Sequence, residues 1–253
     1  MVNNGYLADP KKRFSSRVEN YIKYRPSYPP KIIEFLTEKK ILSKHSIIAD
    51  VGSGTGILSE LFLKNGNKVF GIEPNSEMRK AAEKILKDYS NFVSIHSSAE
   101  NTSLLSNSID LIVVGQAFHW FNVEKTRREF KDILKSDGYV VLIWNNRRKT
   151  GKGFSTQYEN LVSKYGTDYK QVRKNEKNVD EFFQYEKEIF YNYQDLNFKD
   201  LKGRLLSASY IPLKESPTYN KMIKDLKIIF EDNQNNGKVR IEYDTEIYYG
   251  KLN

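Results

Sequence analysis

The chain has 253 residues, no cysteine, three histidines, and 41 lysines and arginines against 32 acids, for a formal net charge of +9. Such a length suits one α/β domain, alone or carrying an inserted cap. The missing cysteines exclude disulfides, thiolate metal centres and cysteine nucleophiles, and histidines scattered at His45, His96 and His119 give no metal-ligand spacing, so no metal is expected. No apolar stretch reaches the roughly 18 residues of a membrane-spanning helix, and Met1 to Gly5 lacks a signal-type apolar core, so a cytoplasmic protein is expected. The basic excess raises nucleic acid as a partner. Its lysines are spread thinly, however, and the only short clusters are Lys11-Lys12-Arg13 and Arg147-Arg148-Lys149, which favours a compositional bias.

Residues 1–45 read as a lead-in. The stretch from Tyr21 to Pro30 is too rich in proline for a long helix and too aromatic for a disordered tail, so it should pack on something. Ile32, Ile33, Phe35 and Leu36 then suggest a short helix. Residues 46–150 alternate between strand and helix. Ile47 to Val51 is an apolar strand that stops at Gly52, Gly54 and Gly56 and restarts as a helix with Leu58, Leu61 and Phe62 inward, ending near Gly66. Val69 to Ile72 is a second buried strand ending at Glu73, after which Asn75 can cap a helix with Met78, Ala81, Ala82, Ile85 and Leu86 on one face. Strands follow at Phe92–His96, Leu111–Val114 and Tyr139–Trp144, with a helix from Val123 to Leu134 that ends near Gly138. This rhythm predicts a parallel, doubly wound sheet.

The rhythm stops in residues 151–253. A helix is expected around Tyr158–Tyr165, long strands over Phe182–Tyr191 and Val239–Tyr249, and helices around Lys199–Ser207 and Asn220–Phe230. The second strand alternates strictly, which suits an antiparallel pair at a sheet edge, with the helices capping the substrate side.

Three alternating glycines between a strand and a helix bring bare backbone close to a ligand, with helix N–H groups aimed at it. The dinucleotide fingerprint G-x-G-x-x-G is not met, because Ile57 stands where its third glycine would fall. Glu73 follows the loop by about 20 residues, the separation at which a β-α-β unit sets a carboxylate on a ribose hydroxyl pair. Ligands of such sheets lie beyond the carboxyl ends of the strands, which also directs attention to Ser97–Glu100 and Gly115–Phe121. His119 is the one histidine at such a strand end, either a general base or a hydrogen-bonded wall residue. Trp120 and Phe121 read as packing.

Asp50-Val51-Gly52-Ser53-Gly54-Thr55-Gly56 with Glu73-Pro74-Asn75 resembles the S-adenosylmethionine (SAM) site of class I methyltransferases. The resemblance implies a Rossmann-like, doubly wound seven-stranded sheet of order 3-2-1-4-5-7-6, its seventh strand antiparallel, with a helical cap. It implies a SAM site made of Asp50, Gly52, Ser53, Gly54, Thr55 and Gly56, of Glu73, Pro74 and Met78, of Ser98, Ala99 and Glu100 at the adenine, and of Gln116. Ser98 stands where the family has Asp or Asn. Tyr21-x-x-x-Arg25-Pro26-x-Tyr28-Pro29 resembles the N-terminal lid of the small-molecule branch, placing Tyr21 and Arg25 over the methionine carboxylate. Ala117-Phe118-His119-Trp120-Phe121 resembles the Ala-x-His-Trp-Phe segment of that branch, represented by trans-aconitate and ubiquinone-type methyltransferases, and makes His119 the catalytic candidate. The Asn-Pro-Pro-Tyr of nucleic-acid amino-methyltransferases is missing. Leu205–Tyr210 and Tyr249-Gly250-Lys251 echo the family's ending, while Lys135-Ser136-Asp137-Gly138 departs from its usual Lys-Pro-Gly-Gly turn.

The function expected is therefore SAM-dependent methylation of a small molecule. The alternatives are a tRNA or rRNA methyltransferase and a SAM-binding protein without turnover. A carboxylate acceptor would need only cationic anchors; Arg25, Arg147, Arg148 and Arg204 are candidates, each by default a solvated surface charge.

Overall fold

A computed structural model describes residues 17–148, 153–167 and 179–252. The Lys11-Lys12-Arg13 cluster, Lys149 and the first part of the lead-in lie outside these residues. Helices α1 (Val18–Tyr24) and α2 (Lys31–Glu38) precede the sheet. The alternating part is β1 (Ile47–Val51), α3 (Ile57–Lys64), β2 (Lys68–Ile72), α4 (Ser76–Ile85), β3 (Phe92–Ile95), β4 (Ile109–Gly115), α5 (Val123–Ile133) and β5 (Leu134–Arg147). Then come α6 (Phe154–Tyr165), a helical turn Val179–Phe182, β6 (Glu186–Leu196), the cap helices Phe198–Leu206 and Tyr219–Asn233, and β7 (Val239–Gly250). No helix among the described residues is long and apolar enough to cross a membrane.

The sheet has the order β3-β2-β1-β4-β5-β7-β6, as expected. β1 to β5 run parallel, and β7 is antiparallel to both β5 and β6, with Thr245 opposite Asn145 on one side and Phe190 on the other. The central strands are apolar on both faces because both are covered: Ile48, Ala49, Val51, Leu111, Ile112, Val113 and Val140 to Ile143 are all without solvent exposure. β1 pairs with β2 on one side and β4 on the other, so successive connections leave in opposite directions and open a crevice at their carboxyl ends. β7 has one buried face, Val239, Ile241, Tyr243, Ile247 and Tyr249, which is the expected alternation.

Helix starts follow their caps. Asn75 Oδ1 accepts from the N–H groups of Glu77 and Met78, both at 3.0 Å, and Asn122 Oδ1 accepts from Lys125 at 3.0 Å.

Two expectations need correction. The strand expected over Phe182–Tyr191 begins only at Glu186 and runs on to Leu196. Phe182 belongs to the preceding helical turn, where its ring meets Phe118 at 4.8 Å and Phe130 at 5.8 Å; consecutive buried Phe182 and Phe183 cannot both face the core from one strand. The turn expected at Lys135–Gly138 is a bulge at the start of β5 instead. Leu134 pairs with Ile109 and Tyr139 with Leu111, so four residues stand opposite Asp110 alone. Lys135 Nζ lies 2.8 Å from Asp110, whose other oxygen accepts from Ile47 N–H at 2.8 Å.

Phe182 is the joint between α5, the start of the cavity wall at Phe118 and the segment entering β6. Phe182→Ala should therefore lower unfolding free energy by about 3 to 5 kcal/mol, while Ile189→Ala on the exposed edge strand should change it by less than about 0.5 kcal/mol. Urea unfolding of both variants measures the contrast, and equal effects would mean that Phe182 does not carry this joint.

Candidate functional site

The crevice beyond β1, β2 and β4 holds a cavity of about 930 Å³, counted to its open mouth. Its floor is the glycine loop. Gly52, Gly54 and Gly56 all have positive φ, at 72°, 57° and 84°, so the chain turns in a conformation that side-chain-bearing residues rarely adopt. The three glycines serve different needs. A Cβ at Gly52 would sit 2.5 Å from the Ala117 Cβ, and one at Gly56 2.6 Å from Leu86 Cδ1, whereas one at Gly54 would meet only Met78 Cε at 3.7 Å and otherwise point into the cavity. Gly54 is the glycine of the loop that leaves bare backbone open to the cavity.

Glu73 closes the floor at the end of β2. Its Oε2 accepts from Gly54 N–H at 2.9 Å and its Oε1 from Asn75 N–H at 2.8 Å. Burial pushes its carboxyl above the usual range, and these two N–H groups oppose the shift. The remaining lone pairs are available to ribose hydroxyls. Pro74, Met78, Ala99, Trp120 and Phe121 supply apolar walls, and Asn75, Ser98, Glu100 and Gln116 polar ones. The Glu100 carboxylate also accepts from Asn122 N–H at 2.9 Å, which ties the wall to the start of α5.

A second cavity, of about 480 Å³, adjoins the first and shares Tyr21, Gly52, Gly115 and Gln116 with it. Arg25, Tyr28, Ser53, Thr55, Asn145 and Arg204 complete much of its wall. Gln116 has φ 61°, and its Nε2 is a buried donor with no hydrogen-bond partner. Gly115 is required because a Cβ there would sit 2.6 Å from the Tyr28 hydroxyl. The lead-in covers this end. The Arg25 guanidinium donates to Ser207 O at 2.9 Å, Asn192 Nδ2 to Ser27 O at 2.8 Å and Gln194 Nε2 to Tyr24 O at 3.1 Å. Arg17, which is buried, donates to the carbonyls of Leu206, Ala208 and Ile211.

Of the expected cofactor residues, Gly52, Gly54, Glu73, Pro74, Met78, Ser98, Ala99, Glu100, Gln116 and Tyr21 line the first cavity, and Ser53, Thr55 and Arg25 the second. Asp50, Gly56 and His119 line neither. Asp50 lies at the end of β1 beneath the loop, fully buried, and accepts from Ser59 Oγ at 2.6 Å; Gly56 is held by packing between α3 and α4. His119 sits in a single 3₁₀ turn, Phe118–Trp120, where successive side chains diverge by about 120°. Phe118 takes the core and Trp120 the cavity wall, while the His119 ring lies 4.6 Å from that of Trp120. Trp120 and Phe121 are cavity walls as well as packing. The polar wall residues that sequence reading did not place at the cofactor are Asn75, Tyr28, Asn145 and Arg204; Arg204 was a candidate anchor taken by default as a surface charge, and it is buried instead. Asn145 follows the fifth apolar run and was findable by the strand-end rule, but Arg204 sits inside an amphipathic helix with no local signal.

The residues present fit SAM. An acid anchored at the end of β2, an apolar slot for a base, an uncrowded glycine, and a buried donor beside a guanidinium match a ribose, an adenine and an amino-acid tail in order along the crevice. Glu73→Gln should weaken SAM binding by about 1.5 to 3 kcal/mol, the range for a hydrogen bond to a charged group, and Gly54→Val should leave a folded chain with no measurable binding. Calorimetry with SAM tests both; unchanged affinity in either removes that residue from the site.

Asp50 carries a pH signature. Burial pushes its carboxyl up to about 7, with the Ser59 hydrogen bonds opposing and Glu73 adding to the shift. The folded chain therefore holds a proton on Asp50 that the unfolded chain releases from its ordinary value of 3.8, so the stability this group contributes falls as pH rises from about 4 to about 7. Denaturant unfolding at pH 5 and pH 8 should show a smaller loss in Asp50→Asn than in the wild type, and equal losses would mean that Asp50 is ionised throughout.

Residues 49–142 match the family described as "Methyltransferase domain". An uncharacterized methyltransferase of Schizosaccharomyces pombe is 31% identical over 137 residues, 54% of this chain and 53% of that protein. One of Mycobacterium tuberculosis is 32% identical over 134 residues, 53% of this chain and 52% of that protein. The chain thus spans about half the length of the curated relatives it matches. A solved structure from Anaeromyxobacter dehalogenans, described as a candidate type II methyltransferase, superposes with a TM-score of 0.74 at 15% identity and covers 90% of this chain and 98% of that one. That likeness concerns the fold. With the strand order, the glycine loop and Glu73 in place, residues 49–142 are similar to a methyltransferase domain, and S-adenosylmethionine is the methyl donor that such domains take.

Proposed function

We propose that the chain transfers the methyl group of SAM to a small organic acceptor seated in the second cavity. The observation that carries this reading is the lining of that cavity. The lead-in, the glycine loop, Asn145 and a cap helix wall a polar recess that shares Tyr21, Gly52, Gly115 and Gln116 with the donor cavity. In this reading residues 46–150 hold most of the donor, Arg25 of the lead-in meets its methionine end at the edge of the second cavity, and the lead-in within 1–45 and the cap within 151–253 cover the acceptor beside it.

SAM supplies an electrophilic methyl group on a sulfonium; the acceptor's lone pair takes the methyl carbon, and the electron pair of the broken S–C bond stays on sulfur, leaving S-adenosylhomocysteine. The chain's own residues bind, orient and exclude water. Tyr21, shared by both cavities, stands between donor and acceptor, and Gln116 offers its free Nε2 at the same junction. Asp50 and His119 line neither cavity, so no proton acceptor is set against the acceptor from those two positions. Positioning then supplies most of the acceleration, which aligned reactants can do.

Incubating the protein with methyl-labelled SAM and either a small-metabolite fraction or bulk tRNA and rRNA tests the proposal. Label should enter the small-molecule fraction. Label confined to RNA would favour the nucleic-acid alternative, and SAM binding without transfer to either would make the chain a SAM binder. His119→Asn should keep SAM affinity and lower turnover less than about 10-fold, because general-base catalysis contributes about 10²- to 10⁴-fold and this ring lines neither cavity. A loss of 10²-fold or more would restore His119 as a base.

A further inference from the structure

Arg204 is a buried cation with no carboxylate partner among the described residues. It lies in the cap helix Phe198–Leu206 with 3% of its surface exposed, and it borders the second cavity. Its Nε donates to the Tyr243 hydroxyl at 3.3 Å and its Nη1 to Ser207 Oγ at 3.5 Å; no described carboxylate pairs with it. Taking a charge out of water costs several kcal/mol unless an opposite charge compensates.

Burial and Arg147 disfavour its charge, but Tyr243, Tyr158 and Tyr210 around it outweigh them and raise its pKa, so Arg204 stays a cation. Arg25 borders the same cavity, and its Nε is buried with no hydrogen-bond partner. Burial and the nearby charge of Arg204 both lower the pKa of Arg25, so the two guanidiniums repel each other at close quarters. A third, Arg147, differs in having a carboxylate of its own, Glu159 at 2.9 Å. Burial raises the Tyr210 phenol, but Arg147, Arg204 and Arg25 together outweigh it and hold the phenol below its ordinary value, the mark of a strongly positive region.

Two uncompensated cations thus face one small cavity. The donor brings one carboxylate, on its methionine end, and Arg25, whose guanidinium lies over the Tyr21 ring that lines the first cavity, stands on the donor's side. One positive charge remains, on Arg204. We propose that Arg204 anchors a carboxylate of the methyl acceptor, with the Asn145 side chain beside it on the cavity wall. The inference rests on the reading of the second cavity as the acceptor site. A carboxylate fits better than a phosphate, because a single guanidinium matches one negative charge in a planar, two-oxygen arrangement and leaves a phosphate's second charge unpaired.

The test uses the full chain loaded with S-adenosylhomocysteine, titrated by calorimetry with hexanoate and adipate and with hexanamide and adipamide as neutral counterparts. The acids should bind and the amides should bind at least roughly 10-fold more weakly, as expected when a hydrogen bond to a charged group is lost. Arg204→Gln should weaken the acids by roughly 10- to 150-fold, Arg204→Lys by less, and both variants should bind S-adenosylhomocysteine as the wild type does. Amides binding as tightly as acids, or no acid binding to the loaded wild type, would overturn the proposal without any variant. Weakened S-adenosylhomocysteine binding in Arg204→Gln would also overturn it, by assigning Arg204 to the donor. Should Arg204→Gln fail to fold, the acid-against-amide comparison and the Lys variant decide. Failure of the underlying reading looks different: labelled methyl then passes to RNA or to nothing, whatever these probes do.

Discussion

The two hydrogen bonds accepted by the Glu73 carboxylate organise the site. One reaches back to the glycine loop at Gly54 N–H, the other forward to Asn75 N–H, whose side chain caps α4. Three elements, the loop after β1, the end of β2 and the start of α4, are thereby held to one carboxylate, and the loop can keep its run of left-handed glycines. The ligand-facing edge of the same carboxylate stays open. Buried to 9% exposure, it is costly to ionise, and the two N–H groups offset part of that cost. A donor with hydroxyls to offer would complete what these two N–H groups begin.

A second constraint sets the roof. α1 lies directly on the cap helix because residue 203 is glycine, and a Cβ there would overlap the Tyr24 ring. Arg17 and Arg25 then reach carbonyls of Leu206, Ser207, Ala208 and Ile211, where that helix ends and its last carbonyls lack helical partners. β7, antiparallel between β5 and β6, brings Tyr243 beneath Arg204 and Gln194 against Tyr24 O, so sheet edge, cap and lead-in meet at one point. The second cavity is the space they leave. Its positive character follows from the same convergence, since Arg25, which satisfies a helix-end carbonyl, borders the cavity together with Arg204.

Much of this was legible in the residues. The apolar runs at Ile47–Val51, Val69–Ile72 and Tyr139–Trp144, the glycines between them and the strict alternation of Val239–Tyr249 each obey a local period, so the strands and their parallel or antiparallel character could be read one by one. Glu73 was legible because its separation from the loop is a property of a β-α-β unit. The order of the sheet came from the resemblance rather than from any period, and the observed pairing agrees with it. The start of β6 was missed because Phe182 and Phe183 look like strand residues, yet their burial is decided by Phe118 and Phe130, more than 50 positions away.

The sequence by itself determined the glycine-loop half of the candidate site, because backbone conformation at Gly54, the cap at Asn75 and the reach of Glu73 are local and short-ranged. The tertiary structure alone decided which residues of those motifs face the cavities. Asp50 and Gly56 belong to the glycine motif but are taken up by Ser59 and Leu86, and His119 is carried past the cavity by one 3₁₀ turn. It also decided the second cavity. Arg25, Asn145 and Arg204 come from the lead-in, a strand end and a cap helix, and nothing in the spacing of three such distant positions shows that they will share a wall. Their meeting depends on helix packing and sheet-edge pairing, which are set by the whole chain at once.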